Sequence, residues 1–236
     1  LRMTDIPDIE PYNDQDVPQV IERLIHDDEF IKVIGQLKFK GWYPLLRLFL
    51  KPRIRAFLRN QAKGVQTVEH FQDLVAPQLA KVLASTTEKF TVSGLENLNP
   101  EQAYLFLSNH RDIVMDPSFV NWALYNGGFD TVRIAIGDNL VKKPFISDLM
   151  RINKSFIVKR SVSGPREMFQ AFSALSGYIR QSIEEFHSIW IAQREGRAKD
   201  GIDRTDPALL KMLAMAGKPR GESFQEAVAA VCPVPV

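Results

Sequence analysis

A histidine and two aspartates stand within the nine residues SNHRDIVMD, directly after the apolar run AYLFL. His110 supplies an imidazole, and Asp112 and Asp116 supply two carboxylates that could orient it. A neutral imidazole held by a carboxylate can take a proton from an alcohol as that alcohol attacks, which typically contributes about 10² to 10⁴ in rate. The segment therefore predicts a general base suited to acyl transfer without a covalent enzyme intermediate.

Other chemistries fit this segment poorly. The letters HRD also occur in the catalytic loop of protein kinases, but Pro117 stands where that loop needs asparagine, and the sequence has no D-F-G motif. His26, His70 and His187 lie in separate stretches without the spacing of metal ligands. No G-x-S-x-G nucleophile elbow occurs, so a serine hydrolase is poorly supported.

The surrounding sequence predicts an α/β fold with a largely parallel sheet flanked by helices. From about residue 89, short apolar runs alternate with helical stretches, a pattern typical of parallel strands covered on both faces. The predicted strands are FTVSGL, AYLFLS, TVRIAIG, SFIVKR, SIWIAQ and VCPVPV. His110 then follows a strand at its carboxyl end, where such sheets bind ligands. We expect Asp116 to cap the next helix and Pro117 to be its first residue.

Residues 1–88 form a predicted helical N-terminal region after an irregular leader, Leu1 to Asp16. Within it, residues 38–63 hold eight basic residues and no acid, interleaved with aromatic and aliphatic side chains. One interpretation is a segment that lies in the headgroup layer of an anionic membrane, where each basic residue contributes roughly 1 kcal/mol. The other is an amphipathic helix pair that packs on the α/β core and has a solvated basic rim. Pro44 and Pro52 are expected to break the segment into short helices. The residues expected at the membrane are Trp42, Arg47, Lys51, Arg53 and Arg55.

Composition excludes several classes of protein. The 236 residues carry a net charge of +2 and a single cysteine, Cys232, so an internal disulfide is impossible and a reducing compartment is suitable. No apolar run approaches the eighteen or so residues that cross a bilayer, and the start lacks the pattern of a signal peptide. Nucleic acid is not an expected partner, because the aromatic residues are mixed with aliphatic ones rather than spaced for base stacking.

Four segments in order resemble the glycerol-phosphate and 1-acylglycerol-phosphate acyltransferase family: SNHRDIVMD, KSFIVKR, AQREGRAKDG and VCPVPV. The resemblance spans roughly Phe90 to Val236 and implies an acyltransferase domain over residues 89–236, which we expect to be truncated at its C-terminus. It implies transfer of a fatty acyl group from acyl-CoA or acyl-carrier protein to glycerol 3-phosphate or 1-acylglycerol 3-phosphate in phospholipid synthesis. The family needs no metal or bound cofactor, and a peripheral position on the cytoplasmic side of a membrane is expected.

The resemblance also implies roles for individual residues. His110 would be the base and Asp116 its partner. Asp112 remains an alternative partner, because the family places four residues between histidine and aspartate whereas Asp116 leaves five. The residues implied in binding the phosphate of the acceptor are Lys159, Arg160, Glu195, Gly196 and Arg197.

The positions of these residues agree with that role, because they follow predicted strands and would share the sheet edge with His110. A solvated strand end, or an ion pair that orders the glycine loop, would explain the same residues without a ligand. Acylation of another lipid acceptor, or lipid binding without catalysis, remains open as an alternative function.

Overall fold

The computed structural model describes residues 10–200 and 202–236. Contacts between Cα atoms divide this part of the chain into two compact units. We call residues 89–139 and 156–236 the α/β unit, and residues 10–88 and 140–155 the helical unit.

The helices and strands have the following bounds. The α-helices are α1 (Val17–His26), α2 (Asp28–Phe39), α3 (Tyr43–Gln61), α4 (Val68–Thr86), α5 (Met115–Asn126), α6 (Pro144–Ile152), α7 (Pro165–Glu184), α8 (Pro207–Leu213) and α9 (Phe224–Ala229). The strands are β1 (Leu105–Ser108), β2 (Arg133–Gly137), β3 (Ser155–Val158), β4 (Ile189–Ala192) and β5 (Pro233–Pro235).

The five strands form one parallel sheet in the order β3-β2-β4-β1-β5, which confirms the predicted fold class. Leu105 of β1 lies opposite Ile189 of β4 on one side and Pro233 of β5 on the other. Because parallel strands all end at the same edge of a sheet, the residues that follow β1, β2, β3 and β4 meet along one edge.

Apolar side chains cover both faces of this sheet. On one face Leu105 and Ile189 belong to the cluster that α7 completes with Leu175 and Ile179. On the other face Phe106 and Trp190 pack with Val120 and Leu124 of α5. Neighbouring residues along β1 and β4 thus point to opposite faces, and both faces are buried, as the apolar runs in the sequence predict.

The predicted strand FTVSGL is wrong. Residues 90–93 make no ladder with the sheet, and Phe90 and Val92 are exposed. The Phe90 ring instead stacks on Phe119 of α5, with 5.2 Å between ring centroids. Gly94, at a φ of 91°, then turns the chain into a short 3₁₀ helix, which ends the extended segment.

The helical unit packs α1 against α6 and α2 against α3. Ile31 of α2 and Tyr43, Leu50 and Ile54 of α3 form a small buried cluster. The expected break at Pro44 is present, because α2 ends at Phe39 and α3 begins at Tyr43, but the expected break at Pro52 is wrong, because α3 runs unbroken from Tyr43 to Gln61. Pro44 lies in the first turn, where its missing N–H is not needed, and Leu50 and Ile54 hold the helix by burial on either side of Pro52. No helix in the described ranges is long and apolar enough to cross a bilayer.

Candidate active site

His110 lies just beyond the carboxyl end of β1, next to the buried and hydrogen-bonded side chains of Ser108 and Trp190. The indole N–H of Trp190 donates to the Ser108 hydroxyl oxygen at 2.9 Å, and that hydroxyl donates to the Asn109 carbonyl. The imidazole meets the Trp190 ring edge to face, with 5.8 Å between centroids and 70° between planes. Because Trp190 is only 3% exposed, it offers the imidazole a rigid apolar support.

Asp116 is the carboxylate that holds His110. Its Oδ2 lies 2.9 Å from His110 Nδ1 and also accepts the backbone N–H groups of Arg111 at 2.6 Å and Asp112 at 3.0 Å. The two side chains are 16% and 19% exposed, so water screens the pair only in part. Since an ionised carboxylate can only accept, Nδ1 carries the proton of a neutral imidazole and Nε2 is left as the proton acceptor. Geometry therefore favours Asp116 over Asp112 as the partner.

Asp112 stands just before α5 and accepts hydrogen bonds from the backbone at the start of that helix. Its Oδ1 accepts the backbone N–H groups of Val114 and Met115, both at 2.8 Å. These two bonds are the main reason that the pKa of Asp112 is lowered, and the positive charge of Arg197 lowers it further. The expected helix start is wrong: α5 begins at Met115, so Asp116 and Pro117 lie inside its first turn. The N-cap residue is Val114, which has no capping side chain, and the Asp112 carboxylate binds the N–H groups at this point instead.

The cations after β3 stand beside the end of β2. A Cβ on Gly137, the last residue of β2, would lie 3.1 Å from Arg160 Nε, so the arginine side chain lies directly against this glycine. Asp138 accepts the backbone N–H of Ser161 at 3.2 Å and so holds the turn that follows Arg160. Burial raises the pKa of Asp138, but such backbone and hydroxyl hydrogen bonds outweigh burial and the net direction is downward.

The loop after β4 reaches both His110 and Arg160. The backbone N–H of Ala198 donates to the His110 carbonyl at 2.6 Å. Gly196 has a φ of 74°, a conformation that glycine adopts without strain. Arg160 Nη1 lies 3.9 Å from Glu195 Oε1, a weak and solvated pair. The ion pair expected within the loop thus joins Glu195 to Arg160 of another strand end.

A cavity of about 240 Å³ lies beside these cations. Its walls are mostly apolar side chains from three strands, α7 and α8, while Lys159, Arg160 and Arg194 stand among its polar lining residues. The apolar lining includes Ala135, Val158, Met168, Phe172, Leu175, Ile191, Leu209 and Met212. Sequence reasoning missed this cavity and the support from Trp190, because both rest on apolar residues that any buried strand or helix would carry.

The residues expected at a membrane lie on α3 and just before it. Trp42 is 69% exposed, and Arg47 and Arg53 are exposed as well. Lys51 and Arg55 differ, because both pair with Asp28 of α2, at 3.0 and 2.9 Å. Leu45, Leu48 and Phe49 are 77%, 78% and 68% exposed, so the outward surface of this helix is strongly apolar.

No cluster of three or more histidine, cysteine, aspartate or glutamate side chains suited to a metal ion occurs in the described part of the chain. The described site has an imidazole–carboxylate pair and a cationic loop at the carboxyl edge of the sheet, and the apolar cavity beside Arg160 lies on the face that α7 and α8 cover.

The sequence model of the protein family described as Acyltransferase matches residues 89–226, more than half of the chain. The chain therefore belongs to the acyltransferase family, and acyl transfer is the activity that this membership supports. No curated protein matches the chain. Among solved structures, chloroplast FtsY from Physcomitrella patens is similar at 14% identity over 94% of this chain and 69% of that one, with a TM-score of 0.29. A likeness this weak carries no argument about fold or function.

Proposed function

We propose that the protein is an O-acyltransferase of phospholipid synthesis. It moves a fatty acyl group from the thioester of acyl-CoA or acyl-carrier protein to a hydroxyl of 1-acylglycerol 3-phosphate or glycerol 3-phosphate. The observation that carries the proposal is the His110–Asp116 pair at 2.9 Å, bonded through the His110 carbonyl to a loop that bears cations.

The pair supports attack by a hydroxyl on a thioester. Asp116 accepts a hydrogen bond from the Nδ1–H group of His110, which leaves Nε2 free as a proton acceptor. Nε2 takes the proton of the acceptor hydroxyl while the hydroxyl oxygen bonds to the thioester carbonyl carbon. The carbon–sulfur bond of the tetrahedral intermediate then breaks, and the imidazolium returns the proton to the leaving thiolate. The nearby carboxylate stabilises the imidazolium between these two steps.

The cations that follow β3 and β4 suit the phosphate of the acceptor. Arginine binds phosphate through two parallel hydrogen bonds, and fixing the phosphate also positions the hydroxyl that reacts. Arg160 and Arg197 have this role in the proposal, with Lys159 beside them. Glu195 lies within weak pairing distance of Arg160, and Gly196 provides the turn. The apolar cavity next to Arg160 suits a fatty acyl chain.

The helical unit is proposed to bind an anionic membrane peripherally, on the cytoplasmic side. Leu45, Leu48 and Phe49 would enter the headgroup layer, because such exposed apolar side chains gain from burial there. Arg47 and Arg53 would contact lipid phosphates, since Lys51 and Arg55 already pair with Asp28.

Replacing the imidazole tests the proposal. His110→Ala should lower kcat by about 10² to 10⁴ with 1-acylglycerol 3-phosphate or glycerol 3-phosphate as acceptor and a radioactive acyl thioester as donor. His70→Ala, an exposed histidine of α4, is the matched control and should leave the rate unchanged. Unchanged turnover in a folded His110→Ala protein would exclude the base role. If the wild-type protein acylates only other lipids in a panel of acceptors, the proposed acceptor, 1-acylglycerol 3-phosphate or glycerol 3-phosphate, is wrong.

A further inference from the structure

The loop that carries the cations leaves the sheet and returns at one residue, Gln193. This residue follows β4 and is 6% exposed. Its backbone N–H donates to the Ser108 carbonyl of β1 at 2.9 Å, and its carbonyl accepts the N–H of Asp206, just before α8, at 2.9 Å. The backbone of Gln193 therefore joins the outgoing end of the loop to its returning end.

The buried side chain of Gln193 makes the same connection twice more. Its Nε2 donates to the Asp203 carboxylate, and its Oε1 accepts the hydroxyl of Thr205 at 3.3 Å. Asp203 and Thr205 both belong to residues 202–205, the returning limb of the loop, which leads to α8. Because a buried amide left without hydrogen-bond partners is destabilising, the two bonds favour a closed loop.

What lies between these ends is the cationic part of the site. Arg194, Arg197 and Lys199 stand on the outgoing limb, and Ala198 bonds to the His110 carbonyl. The distance from these cations to the imidazole thus depends on how the two limbs are joined.

We infer that Gln193 is a positioning residue that clamps the two described limbs of this loop, residues 194–200 and 202–205, and so sets the phosphate-binding cations relative to His110. The inference rests on the proposed function for the role of those cations, but the clamp itself rests on the hydrogen bonds alone. Gln193 acts through the loop and is not assigned a contact with substrate.

A charge exchange tests the clamp. Gln193→Glu puts a second carboxylate against Asp203, and the repulsion should separate the two ends of the loop that Gln193 joins. Adding Asp203→Asn returns an amide donor opposite the new carboxylate and should bring the two ends together again. Gln181→Glu is the matched control, because the Gln181 amide also donates to a carboxylate, Glu185 at 2.7 Å, on the exposed surface of α7.

Two readouts separate the clamp from the proposed function. Limited trypsin digestion after Arg194, Arg197 and Lys199 reports loop opening without any need for activity. We expect Gln193→Glu to speed this cleavage and to raise KM for the phosphate acceptor about tenfold, while KM for the acyl thioester changes less than about twofold. The double variant should return both values to within about threefold of wild type, and Gln181→Glu should change neither.

Unchanged cleavage and unchanged acceptor KM in Gln193→Glu would overturn the inference, as would failure of the double variant to restore them. Faster cleavage with an unchanged acceptor KM would support the clamp and contradict the role of the loop in phosphate binding. If Gln193→Glu does not fold, Gln193→Met provides the test, because it keeps the length of the side chain and removes both hydrogen bonds.

Discussion

The charge of Asp116 can be removed while most of its hydrogen bonding is kept. Its Oδ2 accepts His110 Nδ1 at 2.9 Å together with the N–H groups of Arg111 and Asp112. In Asp116→Asn the amide oxygen can still accept these three donors. The substitution therefore tests the negative charge beside the imidazole rather than the conformation of the loop.

The size of the effect follows from the geometry of the pair. Opposite charges about 4 Å apart attract by about 4 kcal/mol at an effective dielectric constant of about 20, the value suited to pairs near a protein surface. With side chains 16% and 19% exposed, the pair is screened less than one fully in solvent. A loss of about 4 kcal/mol from the imidazolium-like transition state lowers the rate by about 10³. Because the charge develops only during proton transfer, kcat should fall and KM for the acceptor should change less than about threefold.

Initial rates over a range of acceptor concentrations, with radioactive acyl-CoA as donor, measure this effect. Asp112→Asn is the matched control, because the asparagine side-chain oxygen can still accept the N–H groups of Val114 and Met115, and it should cost less than about tenfold in kcat. A folded Asp116→Asn protein that keeps a third or more of the wild-type kcat would refute the role of the charge. A larger loss in Asp112→Asn than in Asp116→Asn would make Asp112 the partner of the imidazole.

Three further predictions concern other parts of the molecule. Leu48→Asp with Phe49→Asp should lower flotation with anionic liposomes at least about tenfold, because two exposed apolar side chains are lost, and undiminished binding would contradict the membrane proposal. Arg160→Ala should raise KM for the phosphate acceptor about 10- to 100-fold in the same kinetic assay, and an unchanged KM would remove Arg160 from the site. Burial raises the pKa of Asp148, but hydrogen bonds from Arg23 and Tyr12 outweigh burial, so the net pKa is lowered. The ionised Asp148 carboxylate therefore stabilises the folded protein fully above about pH 4, and this stabilisation is lost as the pH falls through the lowered pKa. Asp148→Asn should therefore cost about 2 kcal/mol in urea unfolding at neutral pH and less in acid, and a cost independent of pH would contradict this origin.

The fold could be predicted where the sequence carries a strong local signal. The apolar runs of β1, β2, β3 and β4 read as buried parallel strands because both faces of this sheet are covered. The helix PFISDLMRI, residues 144–152, also carries a clear local signal, since proline opens it. FTVSGL has the same local signal, yet the partner of Phe90 is Phe119 on a helix, and only tertiary packing decides between a strand and a helix as partner.

The residue types of the candidate site could be predicted from the sequence, but their hydrogen-bond partners could not. Asp112 and Asp116 are equally good caps and equally good partners for an imidazole, and the order of residues does not choose between them. What chooses is the loop conformation, which turns the N–H groups of Arg111 and Asp112 toward Asp116. Trp190 is invisible as a support for His110 in sequence, because its hydrogen-bond partner Ser108 lies on a neighbouring strand, more than eighty residues earlier.

The basic segment 38–63 shows why a charge count along the chain misleads. It contains no acid, which predicts a row of unpaired cations. Asp28, ten residues before the segment, pairs with both Lys51 and Arg55 because α2 packs antiparallel beside α3 at the close contact of Gly35 with Tyr43. The surface that remains for a membrane is therefore more apolar and less basic than the sequence predicts, so its binding should depend more on burial of leucine and phenylalanine than on salt.

The strand order gives Gly137 a role in the site. In the order β3-β2-β4-β1, Arg160 follows a strand that is three places from the strand of His110, roughly 14 Å at the usual spacing of 4.7–4.9 Å. To reach the loop after β4, the arginine must cross the end of β2, and there it lies against Gly137, where a Cβ would stand 3.1 Å from Nε. On the far side it meets Glu195, whose loop is bonded to His110 through Ala198. A Cβ on Gly137 would meet the Asn139 side chain first and Arg160 next, so the packing of both side chains favours glycine at a position whose backbone conformation does not demand it.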